Sequence, residues 1–193
     1  METGAASNKL RIRRARLDDI PILQDLMSFA YRVLGAMHYS PQQIESGLVY
    51  MIGVDKWMIE DATYYVAEIS GQIVGGGGWS KRTKLFGGDQ MTTTEDNERL
   101  DPDRHPAGIR GFFVHPDWAR RGIGRQLLQK CEEEARSENF RALELIATRM
   151  GEPLYVGAGF EVTEQLEFRF PNGVVAPATR MRKLLRRPED NLL

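Results

Sequence analysis

The chain has 193 residues, of which 41% are hydrophobic, so it is long enough for one domain with a sizeable apolar core. Its formal net charge of −1 excludes a bulk electrostatic attraction to nucleic acid or to an anionic membrane. The only cysteine is Cys131, which excludes an intramolecular disulfide and fits a reducing compartment. The three histidines are well separated, which argues against a structural zinc site.

No segment of the sequence predicts membrane insertion or secretion. The sequence has no apolar run long enough to span a bilayer. Residues 1–7 are small and polar and contain no signal-peptide core. We therefore expect a cytoplasmic protein without nucleic-acid, membrane or metal partners. The expected single domain covers residues 9–187, with a flexible N-terminus at 1–8 and a flexible tail at 188–193.

The first half of the chain predicts two helices followed by two strands. A strand at residues 10–15 precedes a helix at 17–34, in which apolar residues recur every three or four positions. Ser40 and Pro41 have the types preferred at the N-cap and first helical position, which predicts a second helix to about residue 51. Strands at 63–69 and 72–82 form a predicted hairpin.

Two segments near this hairpin are unusual. Four consecutive glycines at residues 75–78 indicate a bulge or a bare backbone against which something packs, or simply a poor strand. Residues 83–106 are polar, rich in acids and long for a loop in a compact domain, which places them near an active site. Their acids either attract a cationic substrate or form solvated surface.

The segment at residues 109–136 organises the second half. A strand containing Phe112, Phe113 and Val114 ends at Pro116, since proline has no N–H for the ladder. Two glycines follow, and then a helix with one apolar face and one charged face. The apolar face contains Ile123, Leu127, Leu128, Cys131 and Ala135, so Cys131 is predicted to be a buried structural thiol.

A strand, a glycine turn and a helix N-terminus together favour an anion site. The first N–H groups of the helix point at the anion, and the helix dipole favours negative charge. Gly122 and Gly124 allow a phosphate to approach the backbone, while Arg120, Arg121 and Arg125 add charge. The segment therefore predicts a phosphate or pyrophosphate site, and the alternative is a tight turn with solvated arginines. The P-loop and dinucleotide-binding fingerprints are absent.

The remaining pattern predicts a strand at residues 142–148, a short helix at 152–158, and strands at 160–170 and 174–183. The resulting order is β-α-α-β-β-β-α-β-α-β-β. Helices interleaved with strands in this way indicate an α/β fold with one central mixed sheet and helices on both faces.

Two motifs resemble the GNAT N-acetyltransferase superfamily. The family has [QR]-x-x-G-x-[GA] after a strand ending in V-x-P, and here Val-His-Pro occupies 114–116 and Ala-Arg-Arg-Gly-Ile-Gly occupies 119–124. A second motif, L-Y-x-x-x-G-F, lies at 154–160. The resemblance covers roughly residues 10–185. Ala119 departs from the usual Gln or Arg, which costs a side chain but no backbone N–H group.

The resemblance implies a mixed, mostly antiparallel sheet, with two central strands splayed apart between residues 112–114 and 143–147. It implies acetyl-CoA as the acyl donor, with its pyrophosphate on the amides of residues 121–125 and its pantetheine arm along the strand before them. Tyr155 stands at the family's general-acid position, although a packing role is the alternative. The implied cofactor-binding residues are Phe112, Phe113, Val114, Arg120, Arg121, Gly122, Ile123, Gly124 and Arg125.

The sequence leaves the rest of the site open. A base must deprotonate the attacking amine, and the candidates are Glu68, Glu144, His105 and Asp103, each of which also suits a structural role. Backbone N–H groups at Phe113 or Val114 are candidates for stabilising the oxyanion. The aromatic residues are either acceptor-pocket or core residues, and they are Tyr31, Tyr39, Trp57 and Trp79.

The leading functional hypothesis is an N-acetyltransferase acting on a primary amine of a small molecule. A peptide acceptor and a catalytically silent acyl-CoA-binding module are the alternatives. Nucleic-acid binding through the basic residues 180–187 is disfavoured, because that segment alternates like an edge strand and the chain as a whole is not basic. A homodimer stays open.

Overall fold

The structure is a computed structural model that describes residues 9–93 and 98–185. The expected flexible termini at 1–8 and 188–193 lie outside the described residues. Within the described ranges, no helix has both the length and the apolar character needed to cross a membrane.

One seven-stranded sheet organises the fold, with the spatial order β1-β2-β3-β4-β5-β7-β6. Every neighbouring pair is antiparallel except β4 and β5, which run parallel. The predicted mixed and mostly antiparallel sheet is therefore confirmed. The strands are β1 (Arg11–Arg14), β2 (Tyr64–Ile69), β3 (Gln72–Ser80), β4 (Ala107–Val114), β5 (Ala142–Ala147), β6 (Glu161–Arg169) and β7 (Val175–Leu184).

Helices cover both faces of the sheet, as predicted. They are α1 (Ile20–Gly35), α2 (Pro41–Tyr50), α3 (Lys56–Glu60), α4 (Ile123–Ser137) and α5 (Glu152–Val156). Alternation along β2 separates the two cores: Tyr64 and Val66 pack in the core with α1, α2 and α3, whereas Tyr65 and Ala67 pack in the core with α4 and α5. The sequence did not predict α3, because five residues are too few to show a helical period.

Two residues have the roles that the sequence predicted: Ser40 caps a helix and Cys131 is a buried thiol. Ser40 caps α2 through a reciprocal pair of bonds, in which Gln43 N donates to Ser40 Oγ at 3.3 Å and Ser40 N donates to Gln43 Oε1 at 2.9 Å. Cys131 is completely buried on the apolar face of α4. Burial raises the pKa of its thiol well above the ordinary value, so it is a structural residue, as predicted.

The glycine run in β3 is a bare backbone with aromatic rings on both faces. A Cβ at Gly76 would lie 2.9 Å from Tyr64 Oη, and a Cβ at Gly77 would lie 2.8 Å from the Phe112 ring. The β3–β4 register also shifts between Gly76 and Gly78. The predicted close-packed backbone is therefore present, and the run is not simply a poor strand. The bulge at this place belongs to the neighbouring strand β4, in which Gly111 and Phe112 lie opposite the single Gly77.

The two central strands diverge in the middle of the sheet. β4 pairs with β5 only through Ala107 opposite Leu143 and Gly108 opposite Glu144. Among the residues that the structure describes, none pairs with the rest of β4, up to Val114, on its β5 side. The predicted splay is thus confirmed, but Leu143 and Glu144 pair with β4, so on β5 it begins after Glu144 and not at residue 143. It leaves one edge of β4 open beside the turn that leads into α4.

Candidate active site

The turn between β4 and α4 forms an amide nest, defined here as residues 121–125. Gly122 is the N-cap of α4 and has φ 81°, while Arg120 before it has φ 63°. A Cβ at Gly122 would meet no atom within 4 Å, so this position faces open space. Because the first N–H groups of a helix lack intrahelical partners, the nest can bind an anion.

The arginine side chains of the nest make two different kinds of contact. Arg125 donates from Nη2 to the Gly157 carbonyl at 2.7 Å and so joins the nest to the segment after α5. The Arg121 guanidinium lies 4.7 Å from the centre of the Trp118 ring, as a cation–π contact. Arg120 lines the cleft beside the nest, so three arginines add positive charge in or next to the segment with the open N–H groups.

A large cleft of about 950 Å³ runs from the nest to the open edge of β4. Eight of the nine predicted cofactor-binding residues line it, and the exception is Arg121, whose side chain lies on Trp118. The end of α1 supplies an apolar wall through Val33 and Leu34, and the turn that follows it adds Met37.

The strand register decides which β4 amides face the gap. His115 N donates to the Val74 carbonyl at 2.8 Å, and Phe113 lies opposite Gly76. Hydrogen-bonding direction alternates along a strand, so the backbone groups of Phe113 point at β3, whereas those of Phe112 and Val114 point into the gap. Of the two sequence-based candidates for stabilising the oxyanion, the geometry favours Val114, and it adds Phe112.

A second, smaller cavity of about 130 Å³ lies inside the gap. Residues 109–113 of β4 and the end of β5 line it, and residues 51–53 and 85–87 form its outer wall. The two cavities adjoin, since they share the lining residues Phe112, Phe113, Thr148, Gly151 and Leu154.

Tyr155 on α5 lines this small cavity and is 7% exposed. Its ring packs edge-on against Phe112, at 6.2 Å between ring centres, and against Phe160 at 5.7 Å. Burial raises the pKa of its hydroxyl, so the group is protonated at neutral pH. Tyr155 is therefore a buried packing residue in the wall of the small cavity.

Part of the long 83–106 segment closes the small cavity. Gly88 N donates to the Met51 carbonyl at 3.0 Å, and Asp89 N donates to the Val54 carbonyl at 3.0 Å. Arg110 Nη2 donates to the Gly87 carbonyl at 2.6 Å. These bonds hold the outer wall against β4.

The four candidate bases do not come together at the site. None of them lines either cavity. Glu68 accepts a hydrogen bond from Arg13 at 2.7 Å, Glu144 lies 3.7 Å from Arg180, and Asp103 lies 2.5 Å from Arg141. His105 accepts a bond from the backbone of Asp101 at 3.2 Å.

The four aromatic candidates for an acceptor pocket also line neither cavity. Tyr31, Tyr39 and Trp79 are core residues, and Trp57 carries the Arg82 guanidinium 5.3 Å above its ring. Among the described residues, no group of three His, Cys, Asp or Glu side chains could hold a metal ion.

Several lining residues escaped the sequence analysis. Thr148, Met51 and Phe86 come from separate segments that meet only in the fold, so no local pattern marks them. Arg110 could have been identified from the sequence, because it is a single charge in an otherwise apolar strand. In the structure it is only 5% exposed.

Comparison with protein families gives one match. The family described as "Acetyltransferase (GNAT) family" matches residues 24–160, which include the splay, the nest and Tyr155. A search among curated proteins finds no match.

Solved structures of similar fold are numerous, and three illustrate the likeness. A GCN5-related N-acetyltransferase from Rhodopseudomonas palustris is 18% identical with a TM-score of 0.64, over 93% of this chain and 96% of that one. An acetyltransferase of Salmonella typhimurium, with its cofactor acetyl-CoA, is 18% identical with a TM-score of 0.58, over 93% and 95%. A ribosomal-protein-alanine N-acetyltransferase from Brucella melitensis is 22% identical with a TM-score of 0.60, over 91% and 99%.

Proposed function

Because the chain belongs to the acetyltransferase (GNAT) family, we propose that it transfers an acetyl group from acetyl-CoA to a primary amine of a small molecule. One observation carries this proposal: the open amide nest continues directly into the unpaired edge of β4, within one cleft. A diphosphate joined to a chain of amides matches that sequence of features.

The described residues fit coenzyme A. The nest and Arg120 supply N–H donors and positive charge for the pyrophosphate. The backbone groups of Phe112 and Val114 offer a strand edge for the amides of the pantetheine arm. The Salmonella structure contains acetyl-CoA in a protein of the same fold, which supports the same donor here.

The chemistry is an acyl transfer without a covalent enzyme intermediate. The neutral amine forms a bond to the thioester carbonyl carbon, and the carbon–sulfur bond breaks. The amine nitrogen loses a proton to solvent water, the sulfur takes up a proton, and a proton from solvent restores the group that supplied it. The N–H of Phe112 or Val114 stabilises the negative charge that develops on the carbonyl oxygen. The buried Tyr155 hydroxyl donates the proton to sulfur.

The closed outer wall of the small cavity favours a small molecule as the acetyl acceptor. Residues 51–53 and 85–87 close over about 130 Å³, whereas a peptide acceptor requires an open groove. No carboxylate is found among the described residues that line this cavity, so the wall provides no partner for a second ammonium group of a polyamine. A compact amine with an apolar body fits best.

The test has two stages. Calorimetry with acetyl-CoA should show binding, and lack of binding would overturn the proposal. CoA release is then followed with a panel of small amines, amino acids, polyamines and peptides. Turnover with small amines is expected, turnover with peptides alone would favour the peptide alternative, and binding without any turnover would indicate a silent acyl-CoA-binding module.

A further inference from the structure

The bulge in β4 is held by a tyrosine from two strands away. Tyr64 on β2 donates from its hydroxyl to the carbonyl oxygen of Gly111 at 2.6 Å. Gly111 has φ 65°, and it lies where the β3–β4 register is interrupted. A Cβ at this position would lie 2.9 Å from Tyr64 Cε2, so both the backbone conformation and the contact require glycine.

The glycine run of β3 is what allows Tyr64 to reach this carbonyl. The tyrosine side chain crosses β3 at Gly76 and Gly78, where a Cβ would lie 2.9 Å from its Oη and its Cδ2, respectively. Tyr64 is only 2% exposed, and burial raises the pKa of its hydroxyl, which therefore remains a hydrogen-bond donor. The unusual glycines thus serve a contact at the edge of the active site.

The bond fixes the direction of an N–H group at the gap. A peptide unit is planar and trans, so the N–H of Phe112 points opposite to the carbonyl of Gly111. Because that carbonyl points at Tyr64, the Phe112 N–H points away from Tyr64. The register independently directs the backbone groups of Phe112 into the gap.

We propose that Tyr64 is a positioning residue for acetyl transfer, which holds the β4 bulge so that the Phe112 N–H donates to the thioester carbonyl oxygen. This inference rests on the proposed function. It gives Tyr64 and the glycine run that accommodates its side chain a role in the reaction.

Tyr64→Phe tests the inference, since it removes one hydroxyl and keeps the ring. Removing an oxyanion donor typically lowers kcat by about 10²–10³-fold, and misdirecting one should lower kcat by at least about tenfold. Affinity for CoA, measured by calorimetry, should not change, because the nest is untouched. Tyr31→Phe is the matched control: Tyr31 is 1% exposed in the same core and lines neither cavity, so its activity should remain that of the wild type.

A spectroscopic measurement separates positioning from loss of stability. Acetyl-CoA labelled with ¹³C at the carbonyl is bound without an acceptor, and the infrared C=O stretch is recorded. The stretch should be lowered in wild type and in Tyr31→Phe, and should return toward the free value in Tyr64→Phe. Gly76→Ala, whose new methyl would displace the Tyr64 hydroxyl, should behave like Tyr64→Phe and serves if that variant does not fold.

The outcomes distinguish this inference from the proposed function. If wild type does not bind acetyl-CoA, the proposed function fails. If wild type binds it and a folded Tyr64→Phe retains both kcat and the lowered carbonyl stretch, the inference alone is overturned. An unshifted stretch in bound wild type would also overturn it.

Discussion

Arg110 on β4 and Asp55 at the start of α3 form an ion pair, with 2.7 Å between Nη2 and Oδ2 and both side chains 4% exposed. Lys84 Nζ lies 3.4 Å from the same oxygen, is 3% exposed and donates to the Gly88 carbonyl at 2.7 Å. Burial lowers the pKa of Lys84, against the opposing effect of the Asp55 charge, and the neighbouring Arg110 charge lowers it further. The cluster joins β4, the start of α3 and the outer wall of the small cavity.

Asp55→Asn should destabilise the protein strongly. The amide keeps the shape of the side chain and can still accept the helix-capping bond from Trp57 N, but it removes the charge that compensates two buried cations. Removing one member of a buried ion pair typically costs about 3–5 kcal/mol in the free energy of unfolding. Urea unfolding measures this loss.

A double-mutant cycle identifies the cause. Lys84→Met should lower the free energy of unfolding less in the Asp55→Asn background than in wild type, because in that background it removes an uncompensated cation. Glu45→Gln, which breaks an exposed pair with Arg32, is the control and should change stability little. Equal costs of Lys84→Met in both backgrounds would show that the charges do not interact.

Gly122→Glu should abolish CoA binding, because it places bulk and negative charge in the nest. Gly71→Glu is the matched control: both glycines have φ 81°, and neither has an atom within 4 Å of a built Cβ, but Gly71 lies in the β2–β3 turn. Backbone strain should therefore be similar in the two variants. Calorimetry should show lost affinity only for Gly122→Glu, and equal affinity in both variants would contradict the nest.

The sequence predicted the parts of the fold that local patterns encode. The Ser40 cap, the strand-forming residues of β2 and the apolar face around Cys131 each reflect local residue preferences or interactions between residues close in the chain. The wall of the small cavity could not be predicted, because Met51, Phe86 and Thr148 come together only through long-range pairing. The glycine run indicated that a group packs against its backbone. That this group is Tyr64 follows only from the pairing of the strands and could not be predicted from the local sequence.

Tyr155→Phe should lower kcat more than the affinity for acetyl-CoA. The ring contacts with Phe112 and Phe160 are retained, so the pocket keeps its shape, while the proton donor for sulfur is lost. Losing general acid catalysis typically costs about 10²–10⁴-fold. Steady-state kinetics and CoA calorimetry measure the two quantities, and equal losses in both would indicate a packing role instead.

The free energy of unfolding should decrease in acid because of Asp19, which directly precedes α1. Arg13 donates to its carboxylate at 2.7 Å and Arg16 N at 2.7 Å, and these bonds hold the pKa of Asp19 below its usual range, against the opposing effect of burial. A depressed folded-state pKa adds stability above the unfolded value of about 3.9 and loses it as the pH falls through the folded value.

Asp19→Asn removes this pH-dependent contribution. The difference in unfolding free energy between wild type and variant should be constant well above the unfolded pKa of about 3.9. It should shrink as the pH falls through the lower folded-state pKa. Urea unfolding across this range measures it. A difference that does not change with pH would show that the carboxylate has the same pKa in the folded and unfolded chains.

Phe86→Ala should widen the range of amines that the enzyme accepts. Phe86 lines the small cavity and packs edge-on against Phe168, at 5.1 Å between ring centres. Truncation removes the ring from the wall, so bulkier amines gain room while small ones lose contact. The ratio of kcat/KM for a bulky amine to that for a small one should rise by about tenfold or more, since pocket contacts of this size discriminate by about 10–200-fold.

Phe168→Ala is the control for this change, because it removes the same ring contact but lines neither cavity. If Phe86 limits acceptor size directly, only its own truncation shifts the ratio. A similar shift in both variants would mean that loosening the aromatic pair, rather than opening the cavity, alters selectivity. An unchanged ratio in a folded Phe86→Ala would mean that the acceptor does not contact this wall. The small-amine site would then have to lie along the α1 side of the large cleft.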